Sequence, residues 1–353
     1  MRIFAHLNGE KIYMQRCLQL ALKGAGHTAP NPMVGAVLVY NDAIIGEGFH
    51  RQFGSAHAEV NCIKAVSPEN EQYIAESTLY VSLEPCVHFG KTPPCADLII
   101  EKKIPVVVIG CKDSNTLING KGIAKLEANG IKVISGICEK ACVELNKRFF
   151  TFHQQQRPYI ILKWAQSNDK KIAKKDKVRV FISNEITNRL VHKWRSEEAA
   201  ILVGTHTALL DDPALTNRYW PDNIPIRLVI DRQLKLPETL QLFDRKTKTI
   251  VFNQIKNNND NNLVFHKVDN VNDIAEMMKA LYEMQVQSVI VEGGSTLLQS
   301  FIDAGLWDEA RVITNEQLVI SNGIDAPILK NEGICREEQL LSDTITYYVN
   351  ELF

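Results

Sequence analysis

Three residues that can hold a soft metal ion stand in two short clusters of the sequence. His57 precedes Glu59 by two positions, and Cys86 and Cys95 form the second cluster. One imidazole and two thiolates suit a tetrahedral zinc ion, and three protein ligands leave the fourth position for water, as in catalytic zinc sites. Glu59 is too close to His57 to be a second ordinary ligand, yet close enough to lie beside that water. The pattern therefore predicts a zinc-dependent hydrolytic site with Glu59 as general acid and base.

These residues have the parts of the zinc deaminase signature, which are His-x-Glu and Pro-Cys followed by a second Cys. The sequence departs from that signature at one place. Two residues separate the cysteines in the signature, whereas here the insert from Val87 to Pro94 separates Cys86 from Cys95. The insert argues against a nucleic-acid editor and is expected to act as a specificity loop. The remaining cysteines are expected to be ordinary small core or surface residues.

Length and composition bound the possible classes of protein. The chain has 353 residues, more than one hydrophobic core usually organises, so two domains are expected. It has 40 basic and 41 acidic residues, a balance that argues against binding nucleic acid through its phosphates. No membrane-length apolar run or signal-peptide core is evident, so a cytoplasmic protein with a small-molecule substrate is expected. Eight unevenly spaced cysteines suit free thiols and metal ligands better than a disulfide framework.

The first half has an opening helix, a hairpin and then alternating helices and strands. Apolar residues from Tyr13 to Ala21 fall at helical spacing, and Gly24 ends the pattern. After a loop from Thr28 to Pro32, the predicted segments are strands 34–40 and 43–49, helix 58–65, strand 79–82, helix 95–101, strand 106–110, helix 122–128 and strand 131–135. This alternation implies a layered α/β sheet.

A polar segment with a glutamine run, from Asn146 to Pro158, is interpreted as the boundary between domains 1–150 and 158–353. The second half restarts the alternation, with strands predicted at 159–163, 200–203, 226–230, 249–252, 288–291 and 310–314. The segment Asn257 to Asn262 is too polar to bury apolar area and is predicted to be a surface loop.

A nucleotide site in the second half is expected where a buried strand ends in two glycines. No Walker A run or Gly-x-Gly-x-x-Gly fingerprint occurs, so an ordinary Rossmann interpretation lacks its motif. In the run from Ser288 to Leu298, a strand leads to Gly293 and Gly294, and a helix begins at Ser295 or Thr296. Backbone amides there can approach a phosphate closely. The same pattern also occurs as a simple tight connection.

Several separate motifs of the first half together resemble one family. The runs Pro30 to Gly35, His57 to Glu59 and Leu83 to Cys95 are similar to the deaminase half of the bifunctional riboflavin-biosynthesis deaminase/reductase. That family deaminates 2,5-diamino-6-(ribosylamino)pyrimidin-4-one 5′-phosphate and then reduces the ribosyl group to a ribityl chain with NADPH. The resemblance implies a zinc site of His57, Cys86 and Cys95, with Glu59 as proton donor and acceptor. The residues implied to contact the pyrimidine or the phosphate are Asn31, His50, His88 and Lys91.

The resemblance extends over nearly the whole chain. Motifs at 163–169, 194–195, 201–207, 211–218 and 291–294 look like the reductase half of that family. It implies an α/β protein with an N-terminal cytidine-deaminase-like α/β/α domain and a C-terminal dihydrofolate-reductase-like α/β domain. The residues implied to hold the substrate are Arg195, Leu215, Arg218 and Glu292. Those implied to bind NADPH are Ala165, Thr207, Asp211, Gly294, Ser295, Thr296, Leu297, Leu298, Gln299 and Ser300.

The segment from Lys174 to Phe181 departs from the family pattern, although Phe181 can still stack on a cofactor ring. Family resemblance also suggests a homo-oligomer. Two other functions stay open on the sequence alone. One is a zinc deaminase that acts on tRNA and has a C-terminal RNA-binding domain. The other is a non-enzymatic module in which His50 or His88 closes a structural zinc site.

Overall fold

The structure is a computed structural model that describes residues 2–89, 93–113, 119–176, 178–220 and 224–352, with side chains from Gly9 onward. The chain divides into two compact units, Met1–Gln155 and Gln156–Phe353. No helix among the described residues is long and apolar enough to cross a membrane.

The first unit has one mixed sheet with helices on both faces. Its described helices are α1 (Arg2–Ala21), α2 (Ala58–Lys64), α3 (Cys95–Glu101), α4 (Lys121–Ala128), α5 (Glu139–Leu145) and α6 (Lys147–Gln155). Its described strands are β1 (Gly35–Tyr40), β2 (Ala43–Phe49), β3 (Thr78–Leu83), β4 (Val106–Cys111) and β5 (Lys132–Ser135). The strand order is β2-β1-β3-β4-β5; β1 is antiparallel to both β2 and β3, and β3, β4 and β5 are parallel.

Both faces of this sheet are buried because its strands carry apolar residues at successive positions. In β1, Ala36 and Leu38 pack in a cluster with residues of α2, α3 and α4. The alternate residues Val37 and Val39 pack in a second cluster with residues of α1 and α5. Since side chains alternate across a strand, one run of apolar residues supplies both layers. The first unit is therefore the predicted α/β/α sandwich.

The predicted hairpin, strands and helices of the first half are confirmed, with ends within a few residues of those observed. Asn41 and Asp42 both have positive φ, as a two-residue hairpin turn requires. The two units divide after Gln155, inside the polar segment interpreted as the domain boundary, but most of that segment is helical. It contains helix α6, in which Phe149, Phe150 and Phe152 are buried, whereas the glutamines at its end are exposed.

The second unit has a larger mixed sheet, again between two helical layers. Its described helices are α7 (Glu185–Glu197), α8 (Thr205–Asp211), α9 (Ile274–Glu283) and α10 (Ser295–Asp303). Its described strands are β6 (Tyr159–Ser167), β7 (Lys171–Lys174), β8 (Ala200–Val203), β9 (Ile226–Ile230), β10 (Thr249–Asn253), β11 (Asn258–Asp260), β12 (Leu263–Lys267), β13 (Ser288–Val291), β14 (Glu309–Asn315), β15 (Gly323–Asp325), β16 (Glu332–Leu340) and β17 (Asp343–Asn350).

The main sheet of this unit has the described order β11-β12-β10-β9-β8-β13-β6-β14-β17-β16, and β7 pairs separately with β15. The seven strands β12, β10, β9, β8, β13, β6 and β14 pair in parallel. The pairs at the two edges, β11 with β12, β14 with β17 and β17 with β16, are antiparallel. Leu162 of β6 packs on one face with residues of α9 and α10, whereas Ile161 packs on the other with residues of α7 and α8. All six strands predicted for this half are present, and β6 is longer than predicted.

The segment Asn257 to Asn262 is not the surface loop that its composition predicted. Residues Asn258–Asp260 form β11, which pairs antiparallel with β12 at the edge of the sheet. An edge strand needs backbone hydrogen bonds on one side only and can keep its side chains in water, so a polar composition does not exclude it.

Candidate active sites

The predicted metal ligands lie where the chain leaves a strand or enters a helix. His57 is the residue immediately before α2, and Cys95 is the first residue of α3. Cys86 lies in the segment that follows β3, and its sulfur accepts a hydrogen bond from the Cys95 backbone N–H at 3.4 Å. The Cys86 carbonyl accepts another from the N–H of Ala96. The start of α3 therefore holds Cys86 through backbone groups that the helix itself leaves unpaired.

The three ligand atoms converge. His57 Nδ1 lies 3.3 Å from Cys95 Sγ and 3.5 Å from Cys86 Sγ. All three atoms lie within 4.8 Å of one another, and among the described residues this is the one such group of histidine, cysteine and acidic side chains. Cys86 and Cys95 are buried and pack against Val60. Hydrogen bonds from the Cys95 thiol and from His57, in spite of burial, lower the pKa of the Cys86 thiol to about 4.

This donor set fits zinc. Zn²⁺ prefers cysteine thiolate and imidazole nitrogen, and structural sites need four protein ligands whereas catalytic sites need three. The lowered pKa of Cys86 favours its thiolate, whereas the same hydrogen bond raises the pKa of the Cys95 thiol, which would lose its proton when a metal binds. His50, which the sequence offered as a fourth ligand, uses both ring nitrogens elsewhere. The exposed His88 is not in the ligand group either, so three described side chains would hold the ion, as in a catalytic site.

Glu59 lies on the first turn of α2 and is 4% exposed. Burial, reinforced by the nearby Cys86 thiolate, raises the pKa of the Glu59 carboxyl. A carboxyl that gains a proton more readily than usual is suited to take a proton and return it. The structure thus places the predicted acid/base group on the same helix end as the predicted histidine ligand.

Asn31 and His50 form the wall beside these ligands. His50 is 2% exposed, and its Nδ1 lies 3.1 Å from the carbonyl oxygen of Ala56. Since a carbonyl only accepts, Nδ1 carries the proton, and the Asn31 amide N–H donates to Nε2 at 3.1 Å. Burial, with His57 nearby, lowers the pKa of His50, which favours this neutral form. The His50 and His57 rings meet edge to face, with centroids 5.4 Å apart.

Two asparagines that the sequence did not single out hold this wall in place. The Asn61 side chain donates to the carbonyls of Phe49 and Ala56, at 2.8 and 3.1 Å, on either side of His50. The Asn146 side chain accepts from the backbone N–H of Met33 and donates to its carbonyl, at 2.8 and 2.9 Å. Nothing in the sequence around Asn146 indicates that its side chain binds the backbone of Met33, which is far away in the chain.

The insert between the cysteines is exposed at His88, whereas Lys91 lies outside the described residues. Their predicted contacts with substrate stay predictions.

In the second unit, a buried ion cluster stands where β13 ends beside the middle of the neighbouring strand β6. Glu292 follows β13, and Arg195 on α7 donates to both of its carboxylate oxygens at 2.7 Å. Lys163 on β6, the next strand, lies 3.4 Å from Glu292 Oε2. The three side chains are 6%, 17% and 14% exposed, respectively. The structure therefore brings together the predicted pair Arg195 and Glu292. It adds Lys163, which belongs to a motif noted in the sequence but had no predicted role.

The cluster carries one more cation than anion. Burial alone would raise the pKa of Glu292, but Arg195 and Lys163 reverse this and lower it to about 2. Burial lowers the pKa of the Lys163 ammonium, and Glu292 opposes that change. A buried site with excess positive charge and a carboxylate fixed in its anionic form is suited to an anionic, hydroxylated ligand.

His192 joins this cluster to the segment that carries Arg218. The backbone N–H of Arg218 donates to His192 Nδ1 at 3.4 Å. Burial, together with Arg195 and Arg218, lowers the pKa of His192 to about 4, so its ring is neutral near pH 7. Arg218 itself is exposed, and no carboxylate among the described residues lies within ion-pair distance of it. The two predicted arginines are thus linked through a histidine that sequence analysis missed.

The predicted nucleotide segment also lies at strand ends. Gly294 immediately precedes α10, and its N–H donates to Thr207 Oγ1 of α8 at 2.9 Å. At Gly293 a Cβ atom would lie 2.9 Å from the Gly204 backbone nitrogen, so only glycine permits this close approach. The N-termini of α8 and α10 therefore meet, and both present backbone N–H groups of the kind that bind anions.

The other predicted residues of this half differ in what their side chains can reach. Leu215 and Leu298 are buried in core clusters, so any ligand contact would use their backbone. Gln299 bonds to Asp303 and to the backbone of Ile328. Ser300 donates to the Thr296 carbonyl. The remaining positions are the partly buried Ala165, Ser295 and Leu297 and the exposed Asp211, Phe181 and Thr296. The Phe181 ring stacks on Arg179.

Known proteins match both units. The family described as the cytidine and deoxycytidylate deaminase zinc-binding region matches residues 8–111, and the RibD C-terminal domain family matches residues 158–319. The riboflavin biosynthesis protein RibD of Aquifex aeolicus is 39% identical over 305 residues, 85% of this chain and 85% of that protein. The chain belongs to the RibD family. RibD of Escherichia coli is 33% identical over 344 residues, 92% of this chain and 90% of that protein.

A solved RibD-family structure has the same fold. The deaminase/reductase of Thermotoga maritima superposes with a TM-score of 0.90 at 33% identity, covering 98% of this chain and 99% of that one. The predicted family, fold class and two activities are confirmed. This RibD-family chain is a bifunctional enzyme of riboflavin biosynthesis, a zinc-dependent deaminase and an NADPH-dependent reductase. The comparisons give no support to the tRNA alternative.

Proposed function

We propose that His57, Cys86 and Cys95 hold the zinc ion of the deaminase and that Glu59 transfers the protons. The convergence of the three ligand atoms within 4.8 Å, beside a buried carboxyl, carries this proposal. When bound, zinc supplies a water of lowered pKa and a Lewis acid. Glu59 takes a proton from the attacking water and returns it to the departing ammonia, a cycle that the raised pKa of its carboxyl favours.

The T. maritima protein is described as a diaminohydroxyphosphoribosylaminopyrimidine deaminase and 5-amino-6-(5-phosphoribosylamino)uracil reductase. We propose that this chain acts on the same two substrates. Asn31 and His50 would then orient the pyrimidine beside Glu59, because their mutual hydrogen bond fixes which way the Asn31 amide points. His88 and Lys91 would contact the ring or the phosphate from the insert.

In the reductase, we propose that Arg195 and Arg218 hold the 5′-phosphate, while Glu292 and the Leu215 backbone hold the ribose. Arg218 can present its planar guanidinium fork to the phosphate, whereas Arg195, whose Nε and Nη2 donate to Glu292, would offer Nη1. Gly294 to Ser300 would bind the NADPH phosphates at the start of α10, with Thr207 and Asp211 beside them and with Ala165 and Phe181 toward the ring. When bound, NADPH supplies the hydride to C1′ of the opened ribose.

Lys163 is the group that we propose donates the accompanying proton in the reductase. Its ammonium lies 3.4 Å from Glu292, and burial lowers its pKa, which makes the proton easier to give. Glu292 would keep it aimed at the sugar.

The deaminase assignment is tested with Glu59→Gln. Without the carboxyl, ammonia release should fall by about 10²- to 10⁴-fold, the usual contribution of a positioned acid/base group. Zinc content and the reductase rate should stay at the wild-type values. Glu101→Gln, an exposed carboxylate in the same unit, is the matched control. Retained ammonia release by Glu59→Gln would sink the assignment.

The reductase assignment is tested with Lys163→Met, assayed by single-turnover NADPH oxidation. We expect a slower chemical step with NADPH affinity unchanged. Lys193→Met is the control, because Lys193 is 54% exposed on α7. Should Lys163→Met reduce at the wild-type rate, the proton must come from another group.

We propose small molecules as the ligands of both units and no nucleic-acid partner, in keeping with the nearly equal numbers of basic and acidic residues. Self-association into a homo-oligomer stays a prediction from family resemblance. Light scattering of the whole chain measures it directly.

A further inference from the structure

Glu84 is a buried carboxylate that lies two residues before the zinc ligand Cys86. It is 3% exposed and immediately follows β3. Its Oε2 accepts hydrogen bonds from the backbone N–H groups of Asp113 and Gly120, at 3.2 and 2.9 Å. Its Oε1 accepts from those of Gly122 and Ile123, at 2.8 and 3.2 Å. Every partner that the described residues give this carboxylate is a backbone N–H group.

These bonds join three parts of the first unit. Glu84 itself follows β3, Asp113 follows β4, and Gly120 to Ile123 form the start of α4. The first N–H groups of a helix have no partner within the helix, and the helix dipole favours a negative charge at that end. One carboxylate therefore satisfies the start of α4 and ties it to the ends of two neighbouring parallel strands.

The peptide that joins Glu84 to Cys86 is also packed tightly against α4. A Cβ atom on Gly122 would lie 2.2 Å from the Pro85 carbonyl oxygen and 3.0 Å from Glu84 Oε1. Only glycine at this position lets the helix approach so closely. On the other side, Cys86 is held by the N–H groups of Cys95 and Ala96 at the start of α3.

We propose that Glu84 is a positioning residue of the deaminase, which fixes the turn that aims the Cys86 thiolate at His57 and Cys95. This inference rests on the proposed zinc ligands. Cys86 has no regular secondary structure of its own. Its direction is therefore set by the segments that flank it, and Glu84 anchors the upstream one. Glu84 never touches the metal or the substrate; it acts through Cys86.

Glu84→Gln keeps the size of the side chain but replaces one accepting oxygen with an NH₂ group. Two backbone N–H groups would then face a donor, and the turn would shift to relieve them. Loss of an outer group that orients a metal ligand typically weakens metal binding by about 10- to 100-fold, and we expect a loss of that size for zinc.

The experiment measures zinc affinity by competition with a chromophoric chelator, together with the thiolate-to-cobalt absorption bands of the Co²⁺-substituted whole chain. We expect Glu84→Gln to weaken zinc binding and to shift or broaden the cobalt bands, while the reductase rate of the same molecule stays unchanged. Glu101→Gln, an exposed carboxylate on α3, should match the wild type in every measurement. Glu84→Asp, which keeps the charge, should recover part of the affinity.

Gly122→Ala provides a second route if Glu84→Gln does not fold, because it displaces α4 from the Pro85 carbonyl and from Glu84 Oε1 while Glu84 itself is kept. It should also weaken zinc binding. If either soluble variant loses thermal stability but keeps wild-type zinc affinity and cobalt bands, Glu84 is only structural and the inference is overturned. Failure of the proposed ligands is distinguishable, since Cys86→Ser would then retain zinc.

Discussion

The two units build their sites in opposite ways. In the deaminase, the proposed ligands and acid/base group come from two short motifs, one at the start of α2 and one between β3 and α3. In the reductase, Lys163, Arg195 and Glu292 come from two strands and a helix that are distant in sequence, and each charge depends on the others. The deaminase site is thus specified by local structure, whereas the reductase site exists only once the sheet has assembled.

Cys86→Ser tests most directly whether the two sites are independent, and it should have the largest effect. Removing one soft ligand should release the zinc and abolish ammonia release, while the reductase, which shares no residue with that site, keeps its rate. Zinc content by atomic emission and the two rates on one preparation test this. Cys335→Ser is the matched control, because Cys335 is exposed. A parallel loss of reductase activity would contradict the independence of the two sites.

Glu292→Gln should have the next largest effect, this time on the stability of the second unit. It leaves Lys163 and Arg195 without their counter-charge in a nearly buried place, which typically costs about 3–5 kcal/mol. The urea concentration at half-loss of reductase structure, followed by tryptophan fluorescence, measures it. Glu197→Gln, whose partner Lys193 is 54% exposed, should change stability by no more than about 1 kcal/mol. Equal midpoints for the two variants would mean that the buried cluster contributes nothing.

Acid should weaken the second unit through the same carboxylate. The pKa of Glu292 is lowered to about 2 in the folded protein, below its ordinary 4.5. Its contribution is therefore fully present above about pH 4.5 and is lost as the pH falls toward 2. Urea midpoints measured at intervals over this range should fall less steeply for Glu292→Gln than for the wild type. Parallel slopes would show that other groups dominate the acid response.

Arg218→Gln should have the smallest effect, and it tests substrate binding at the reductase site separately from folding. Arg218→Gln removes an exposed guanidinium proposed to contact the 5′-phosphate, so KM should rise about 10-fold, in keeping with one lost charge-assisted hydrogen bond, with kcat little changed. The increase should vanish for a substrate without phosphate. Arg245→Gln, which is 51% exposed in the same unit, is the control. An unchanged KM for the phosphorylated substrate would remove Arg218 from the site.

Much of the first unit could be predicted from the sequence because local patterns determine it. The hairpin turn at Asn41 and Asp42, the apolar run of β1 and the helix starts at His57 and Cys95 all follow from neighbouring residues. The roles of Asn61, Glu84 and Asn146 could not be predicted, since each acts on backbone groups of a distant segment. A backbone N–H has no sequence signature of its own.

The second unit was less predictable for the same physical reason. Family resemblance implied roles for Arg195 and Glu292. The role proposed for Lys163 becomes visible only in the fold, where β6 pairs with β13 and Leu162 lies opposite Val291. His192 lies on an ordinary helix pattern, and only folding brings the Arg218 backbone to its ring. The polar strand β11 was missed because a polar composition indicates only that the side chains are exposed. A strand at the edge of a sheet pairs through its backbone and does not need buried side chains.

Helix α6 decides where the chain could be divided without harming the deaminase. Its three buried phenylalanines and the adjacent Asn146, which holds the backbone of Met33, belong to the first unit. A gene split or a protease cut after Leu145 would remove Asn146, which holds the wall beside the proposed zinc ligands. The same cut after Gln155 would leave it whole. Residues 146–155 look in sequence like a dispensable linker. A deaminase domain produced on its own would nevertheless need them.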